Sequence, residues 1–186
     1  KTKSGTLLAG LYAAKSCQSG EKTWAEVQED TREFFEEIRT GLEFSHRNVI
    51  ATVATVTQGE PPFYLITELM TTDLIHLLRE RRFGHGRPVV LQMLALARHS
   101  SQGLAYLASL QFVHRDIAAR NVLVNDEGVA KISDFGLSRH VGTKEYYTLK
   151  HEAMLPVRWM APEALSHSRF TAASDVWSLG VLFWEI

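Results

Sequence analysis

Two short stretches of this sequence carry residue types that suit metal and phosphate chemistry. His114-Arg115-Asp116, with Asn121 five residues on, and then Asp134-Phe135-Gly136 put three oxygen-bearing side chains on two loops near short apolar segments. A hard cation such as magnesium takes carboxylate and amide oxygens and shares its remaining coordination with substrate phosphates. Asp and Asn are also common in turns, where most of them only hydrogen-bond the local backbone. The three residue types alone therefore say little, and the weight rests on their order and spacing.

The elements that must position these residues follow from periodicity and turn chemistry. Lys3-Ser4-Gly5 reads as a turn and Thr6 to Ser16 as an apolar strand that carries Lys15 near its end. From Val27 to Phe44, Phe34, Phe35, Ile38 and Leu42 recur at helical spacing among charged residues, which predicts an amphipathic helix. Strands are expected at Val49 to Thr57 and Phe63 to Leu69, joined by the Gln58-Gly59-Glu60-Pro61-Pro62 turn. After Met70 the pattern turns helical: Leu74 to Arg82, a loop from Gly84 to Pro88, and a long helix from Val89 to Leu110. Short strands at Val122 to Val124 and Ala130 to Ile132 flank the Asn125-Asp126-Glu127-Gly128 turn. A polar stretch from Ser138 to Leu155 precedes Ala161 to Leu165 and a final apolar helix from Asp175 to Ile186.

Composition narrows the function classes. The 186 residues carry a formal charge of -1, with both signs mixed along the chain, so no polyanion-binding surface is indicated and nucleic acid is not an expected partner. The single cysteine, Cys17, rules out an internal disulfide and a sulfur-rich metal site. No apolar run approaches the roughly 20 residues that span a bilayer, so no membrane contact is expected of this segment itself.

His114-Arg115-Asp116 with Asn121, then Asp134-Phe135-Gly136, then Ala161-Pro162-Glu163, in this order and at these separations, resembles the signature set of eukaryotic protein kinases. The resemblance is specific from His114 to Glu163 and extends more weakly from about Lys15 to the end. It implies a two-lobed α+β fold truncated at both ends, with residues 1–69 a partial N-lobe and 70–186 a partial C-lobe. It implies ATP and Mg2+ as well, with Asp116 orienting and deprotonating the attacking hydroxyl and Asn121 and Asp134 holding the metal. Lys15 would contact the phosphates and Glu37 would pair with it. Lys22 stands at the more ordinary distance from Glu37, and Lys15 is preferred because it ends the apolar strand. Thr67 falls at the gatekeeper position, with Glu68 to Met70 as the adenine-facing hinge. His114, Phe135 and Trp177 read as packing residues, and Asp175 as a brace beneath the catalytic loop.

The substrate class follows from the loop after Asp116. Serine and threonine kinases usually carry a lysine two residues on, where this chain has Ala118, and Arg120 stands four residues on. That loop and Pro156-Val157-Arg158-Trp159-Met160 resemble the tyrosine-kinase versions, which implies tyrosine-containing protein substrates. Tyr146-Tyr147 lies where regulatory phosphorylation would occur, with Arg115 the natural partner of the phosphate. This segment resembles the Met, insulin-receptor, Trk and Ror groups, which implies a single-pass plasma-membrane receptor with this domain on its cytoplasmic face, and dimerisation with trans-autophosphorylation. A scaffold that keeps the fold without catalysis is the rival reading, and a serine/threonine or dual-specificity kinase a weaker one. Three departures bear on nucleotide binding: the long gap from Lys15 to Glu37, Gly41 in place of a bulky apolar residue, and Thr71-Thr72-Asp73-Leu74, which lacks the usual glycine.

Overall fold

Two of the first three strands are rich in β-branched and aromatic residues, and the charged stretch between the first and second strands folds as a helix. The computed structural model describes residues 10–17, 24–59, 61–80, 87–140, 147–148 and 156–186. Strand β1 (Tyr12–Ser16), helix α1 (Trp24–Gly41), β2 (Thr52–Val56) and β3 (Tyr64–Glu68) come first. β3 is the central strand of an antiparallel sheet of order β1-β3-β2, with Lys15 opposite Leu65 and Ala13 opposite Thr67. Phe34 and Ile38, four residues apart on one face of α1, bury against Leu65 with Cys17 and Phe63 at the margin. The helix is thereby fixed in rotation, and Glu37 lies beside the buried stripe.

The remaining elements are β4 (Thr72–Asp73), α2 (Leu74–Arg79), α3 (Arg87–Ser109), β5 (Phe112–Val113), a 3-10 turn (Ala119–Asn121), β6 (Val122–Val124) and β7 (Ala130–Ile132). They are followed by β8 (Arg139–His140), β9 (Tyr147–Thr148), a second 3-10 turn (Val157–Trp159), α4 (Pro162–His167), β10 (Arg169–Phe170) and α5 (Ala172–Glu185). β4, β6 and β7 form one antiparallel sheet, and β5 with β8 and β9 with β10 form two-stranded pairs. Leu74, Leu107, Ile117, Ile132 and Leu182 are fully buried and tie the helices to these strands.

The chain divides into two compact units, residues 1–45 with 50–69 and residues 46–49 with 70–186. Hydrogen bonding explains why four residues just after α1 belong to the second unit. The Ile132 amide donates to the Asn48 carbonyl at 2.9 Å, and Asn48 Nδ2 donates to the Ala130 carbonyl at 2.9 Å. His46 stacks on Tyr106 with centroids 4.8 Å apart. Gly103 permits this seating, because a Cβ there would lie 2.3 Å from the Asn48 carbonyl oxygen.

Several boundaries differ from the sequence expectation for local reasons. α5 begins at Ala172 rather than Asp175, because Thr171 and Ser174 cap each other's backbone in a reciprocal box. α3 begins at Arg87, which places Pro88 in the first helical turn, where its missing N–H costs little. The two-residue strands are too short to have a period and leave no mark in the sequence pattern. At Thr71-Thr72-Asp73-Leu74, which lacks the usual glycine, Thr72 and Asp73 pair with Val124 and Leu123, and Asp73 caps α2 by accepting from the His76 amide at 2.8 Å. The loop expectation at 84–86, most of the polar stretch, Lys22 and Tyr146 lie outside the described residues.

Candidate active site

In the first unit, Lys15 and Glu37 meet. Lys15 Nζ donates to both carboxylate oxygens of Glu37, at 2.7 and 2.9 Å. The lysine side chain is 50% exposed and the glutamate 8%, so a buried carboxylate on α1 is matched by a cation that still reaches solvent from β1. Thr67 stands opposite Ala13 on one side and Thr52 on the other. Glu68 accepts through Oε1 from the Ala51 amide at 2.8 Å, which ties its side chain to the sheet. Gly41 closes α1 against β2: a Cβ there would stand 2.6 Å from Thr52 Oγ1. Its glycine is thus accounted for by a close approach within the unit.

In the second unit, the loop from His114 to Asn121 leaves the buried strand β5 and enters β6. Its backbone turns through the left-handed region at Arg115, φ 72°, a conformation that a non-glycine residue holds only when its surroundings enforce it. Asp175 supplies that constraint from α5. Its carboxylate accepts from the His114 amide at 2.6 Å and from the Arg115 amide at 2.9 Å. Burial raises the Asp175 carboxyl to about 7, against the pull of these two amides and the Arg115 charge.

His114 is fully buried, and burial lowers its pKa. It is therefore a neutral imidazole, with Nδ1 accepting from the Asp116 amide at 3.3 Å and Nε2 donating to the Ser133 carbonyl at 3.1 Å. Phe135 meets its ring edge-on at 5.5 Å. Both aromatics are packing residues that link the two loops.

The Asp116 carboxylate is held from two sides. Arg120 pairs with Oδ1, and Asn121 Nδ2 donates to Oδ2 at 2.6 Å and to the Asp116 carbonyl at 2.7 Å. With Nδ2 committed in this way, the amide oxygen of Asn121 is the atom suited to a cation. The Asn121 carbonyl accepts from Ser133 N and Oγ at 2.9 and 3.0 Å, which pins the residue just before Asp134 to Asn121. Asp134 is exposed and left-handed, φ 61°. One carboxylate and one amide oxygen, on loops tied together by backbone, fit a magnesium ion that keeps most of its coordination for water and phosphate.

Around Arg120 lies a network that the sequence motifs mark only in part. The Arg120 guanidinium lies over the Trp159 ring, 4.6 Å from its centroid. Trp159 Nε1 and the Ala119 amide both donate to Glu185 Oε2, each at 3.0 Å. Trp159 belongs to the 156–160 segment, whereas Glu185 falls in no motif and sequence reasoning missed it. Its signal is a lone carboxylate closing the apolar run Val181-Leu182-Phe183-Trp184. Of the expected phosphosites, Tyr147 lies on β9 opposite Phe170, and Tyr146 lies outside the described residues. Arg115 stacks its guanidinium on Phe170 at 4.8 Å.

A chain with these loops in this order is expected to have relatives, and comparison with known proteins finds them. The sequence profile described as protein tyrosine and serine/threonine kinase matches residues 12–186, and the chain belongs to that family. It is 44% identical over 161 residues to the insulin receptor-related protein of Cavia porcellus, covering 83% of this chain and 12% of that protein. It is 40% identical over 183 residues to the tyrosine-protein kinase transforming protein Abl of Abelson murine leukemia virus, covering 98% and 24%. With the tyrosine-protein kinase transmembrane receptor Ror of Drosophila melanogaster it shares 40% over 156 residues, covering 83% and 23%. The chain thus spans no more than about a quarter of the length of these curated relatives. Among the described residues, no helix is long and apolar enough to cross a membrane.

Proposed function

We propose that this chain is the catalytic core of a protein-tyrosine kinase, transferring the γ-phosphate of ATP to tyrosine hydroxyls of protein substrates in receptor-type signalling. The observation that carries the reading is the Asp116 carboxylate, held by Arg120 and Asn121 at the mouth of a braced loop. Phosphoryl transfer needs little covalent work from the protein, so a positioned base and a set of charge-stabilising groups suffice. Asp116 accepts the proton of the attacking hydroxyl. Arg120 supplies a cation beside it, and Ala118 leaves the lysine position of serine and threonine kinases empty. Asn121 and Asp134 hold Mg2+, which when bound neutralises phosphate charge. Lys15, oriented by Glu37, contacts the phosphates, and Thr67 with the 68–70 backbone faces the adenine. The names of the relatives, tyrosine-protein kinases and receptors, support tyrosine as the acceptor and a cytoplasmic-side receptor domain as the setting. Phosphorylation at Tyr146 and Tyr147, by a second copy of the same receptor, would regulate it.

The test is magnesium-dependent transfer of labelled γ-phosphate from ATP to a tyrosine peptide and to its serine counterpart, using the full-length chain that carries this domain. Asp116→Asn is expected to lower kcat by roughly 10²–10⁴-fold, the range for a lost general base. Equal transfer to the serine peptide, or full activity in the variant, would refute the assignment.

A further inference from the structure

Glu185 sits ten residues after Asp175 on α5, and the two carboxylates share a stripe. Asp175, Ser178, Leu182 and Glu185 recur at spacings of three, four and three, which places them on one helix face. Every polar member of that stripe binds the 114–121 loop or the 156–160 segment. Asp175 holds the amides of His114 and Arg115, and Ser178 Oγ donates to the Trp159 carbonyl at 2.7 Å. Glu185 receives the Trp159 indole and the Ala119 amide on the same oxygen. Ala119 opens the 3-10 turn that carries Arg120 and Asn121, and the first amides of such a turn have no partner inside it. Trp159 is consequently held at both ends, by its carbonyl and by its indole nitrogen, with its face under the Arg120 guanidinium. A cation stacked on a fixed ring keeps one orientation, and this cation pairs with Asp116.

We propose that Glu185 is a positioning residue for the phosphate acceptor: by fixing Trp159 and the Ala119 turn, it sets where Arg120 stands beside Asp116 and so how well a tyrosine side chain is held there. The proposal rests on the kinase reading above and adds to it a residue on α5 that selects for acceptor rather than for ATP. Because both hydrogen bonds end on a single oxygen, a glutamine carbonyl can accept both and a leucine can accept neither.

The experiment is steady-state kinetics of the full-length kinase with Glu185→Leu, Glu185→Gln and Trp159→Phe, varying tyrosine peptide and ATP separately. Glu185→Leu, which loses both hydrogen bonds, is expected to raise KM for the peptide at least about tenfold, with KM for ATP within about twofold of wild type. Glu185→Gln is expected to restore the peptide KM to within about threefold. Trp159→Phe, which keeps a ring and loses the indole N–H, is expected to shift the peptide KM in the same direction. A peptide KM unchanged in Glu185→Leu, a parallel rise in both KM values, or no rescue by glutamine overturns the positioning role. If the leucine variant does not fold, the other two variants decide: an unchanged peptide KM in Trp159→Phe, or a tenfold loss in Glu185→Gln, overturns the role. A wild-type kinase that is active on tyrosine peptides but indifferent to these changes removes only the role of Glu185. A wild-type protein that transfers phosphate to no tyrosine peptide overturns the kinase reading and this proposal with it.

Discussion

Gly103→Ala sets two effects of opposite sign against each other at one position in α3. Within a helix, alanine is favoured over glycine by about 1 kcal/mol, so propensity alone predicts a more stable protein. The added Cβ would stand 2.3 Å from the Asn48 carbonyl oxygen, 3.2 Å from its carbon and 3.1 Å from Ile132 Cδ1. Carbon and oxygen settle at about 3.3 Å or more, so the 46–49 segment must retreat by about 1 Å. The two hydrogen bonds that seat it, Ile132 N to Asn48 O and Asn48 Nδ2 to Ala130 O, are 2.9 Å each and do not survive that displacement. Each contributes about 1 kcal/mol, and overpacking a filled site adds roughly 1–3 kcal/mol. Steric cost therefore outweighs propensity, and a net loss of roughly 2–4 kcal/mol is expected. Denaturant unfolding measures the loss, and hydrogen exchange at the Ile132 amide locates it. A variant as stable as wild type, or an Ile132 amide protected as before, would refute this account of why the position is glycine.

Substitutions at two further places test the buried charges. Asp175 titrates at about 7 when folded, against an ordinary 3.8. A carboxyl held above its unfolded value stabilises the fold fully at low pH, and that contribution is lost as pH rises from about 4 to about 7. Asp175→Asn cannot ionise, so its stability deficit relative to wild type is expected to shrink by about 2 kcal/mol between pH 5 and pH 7 in parallel unfolding curves, and a constant difference would contradict the burial argument. At the Lys15–Glu37 pair the two partners differ in exposure, 50% against 8%, so their removal is unequal. Lys15→Met removes the cation beside a carboxylate that is shielded from solvent and should cost roughly 1–3 kcal/mol, whereas Glu37→Gln leaves an ammonium half open to solvent and should cost less than about 1 kcal/mol. Thermal unfolding in the reverse order would show that solvation does not decide the pair.

Read alone, the order of residues establishes the α+β character and the family, because long periodic segments and several motifs in fixed order are local signals. Phe34 and Ile38 mark the buried face of α1, and the Val122–Val124 and Ala130–Ile132 strands can be read residue for residue around their turn. Lys15 can be preferred over Lys22 from the end of an apolar strand, and the ion pair to Glu37 is what the fold then makes of that position. Other features are closed to such reading. Two-residue strands have no period, and the close approach of Gly41 to Thr52 and the capped, paired β4 at Thr72 and Asp73 are visible only in the fold. Only the folded chain shows that residues 46–49 belong to the second unit, that Asp116 is clasped by both Arg120 and Asn121, and that Glu185 holds Trp159 and Ala119. The physical reason is range. Periodicity and capping act over a few residues, whereas the half-buried Glu185 carboxylate finds its partners among donors that the fold brings from 26 and 66 residues away.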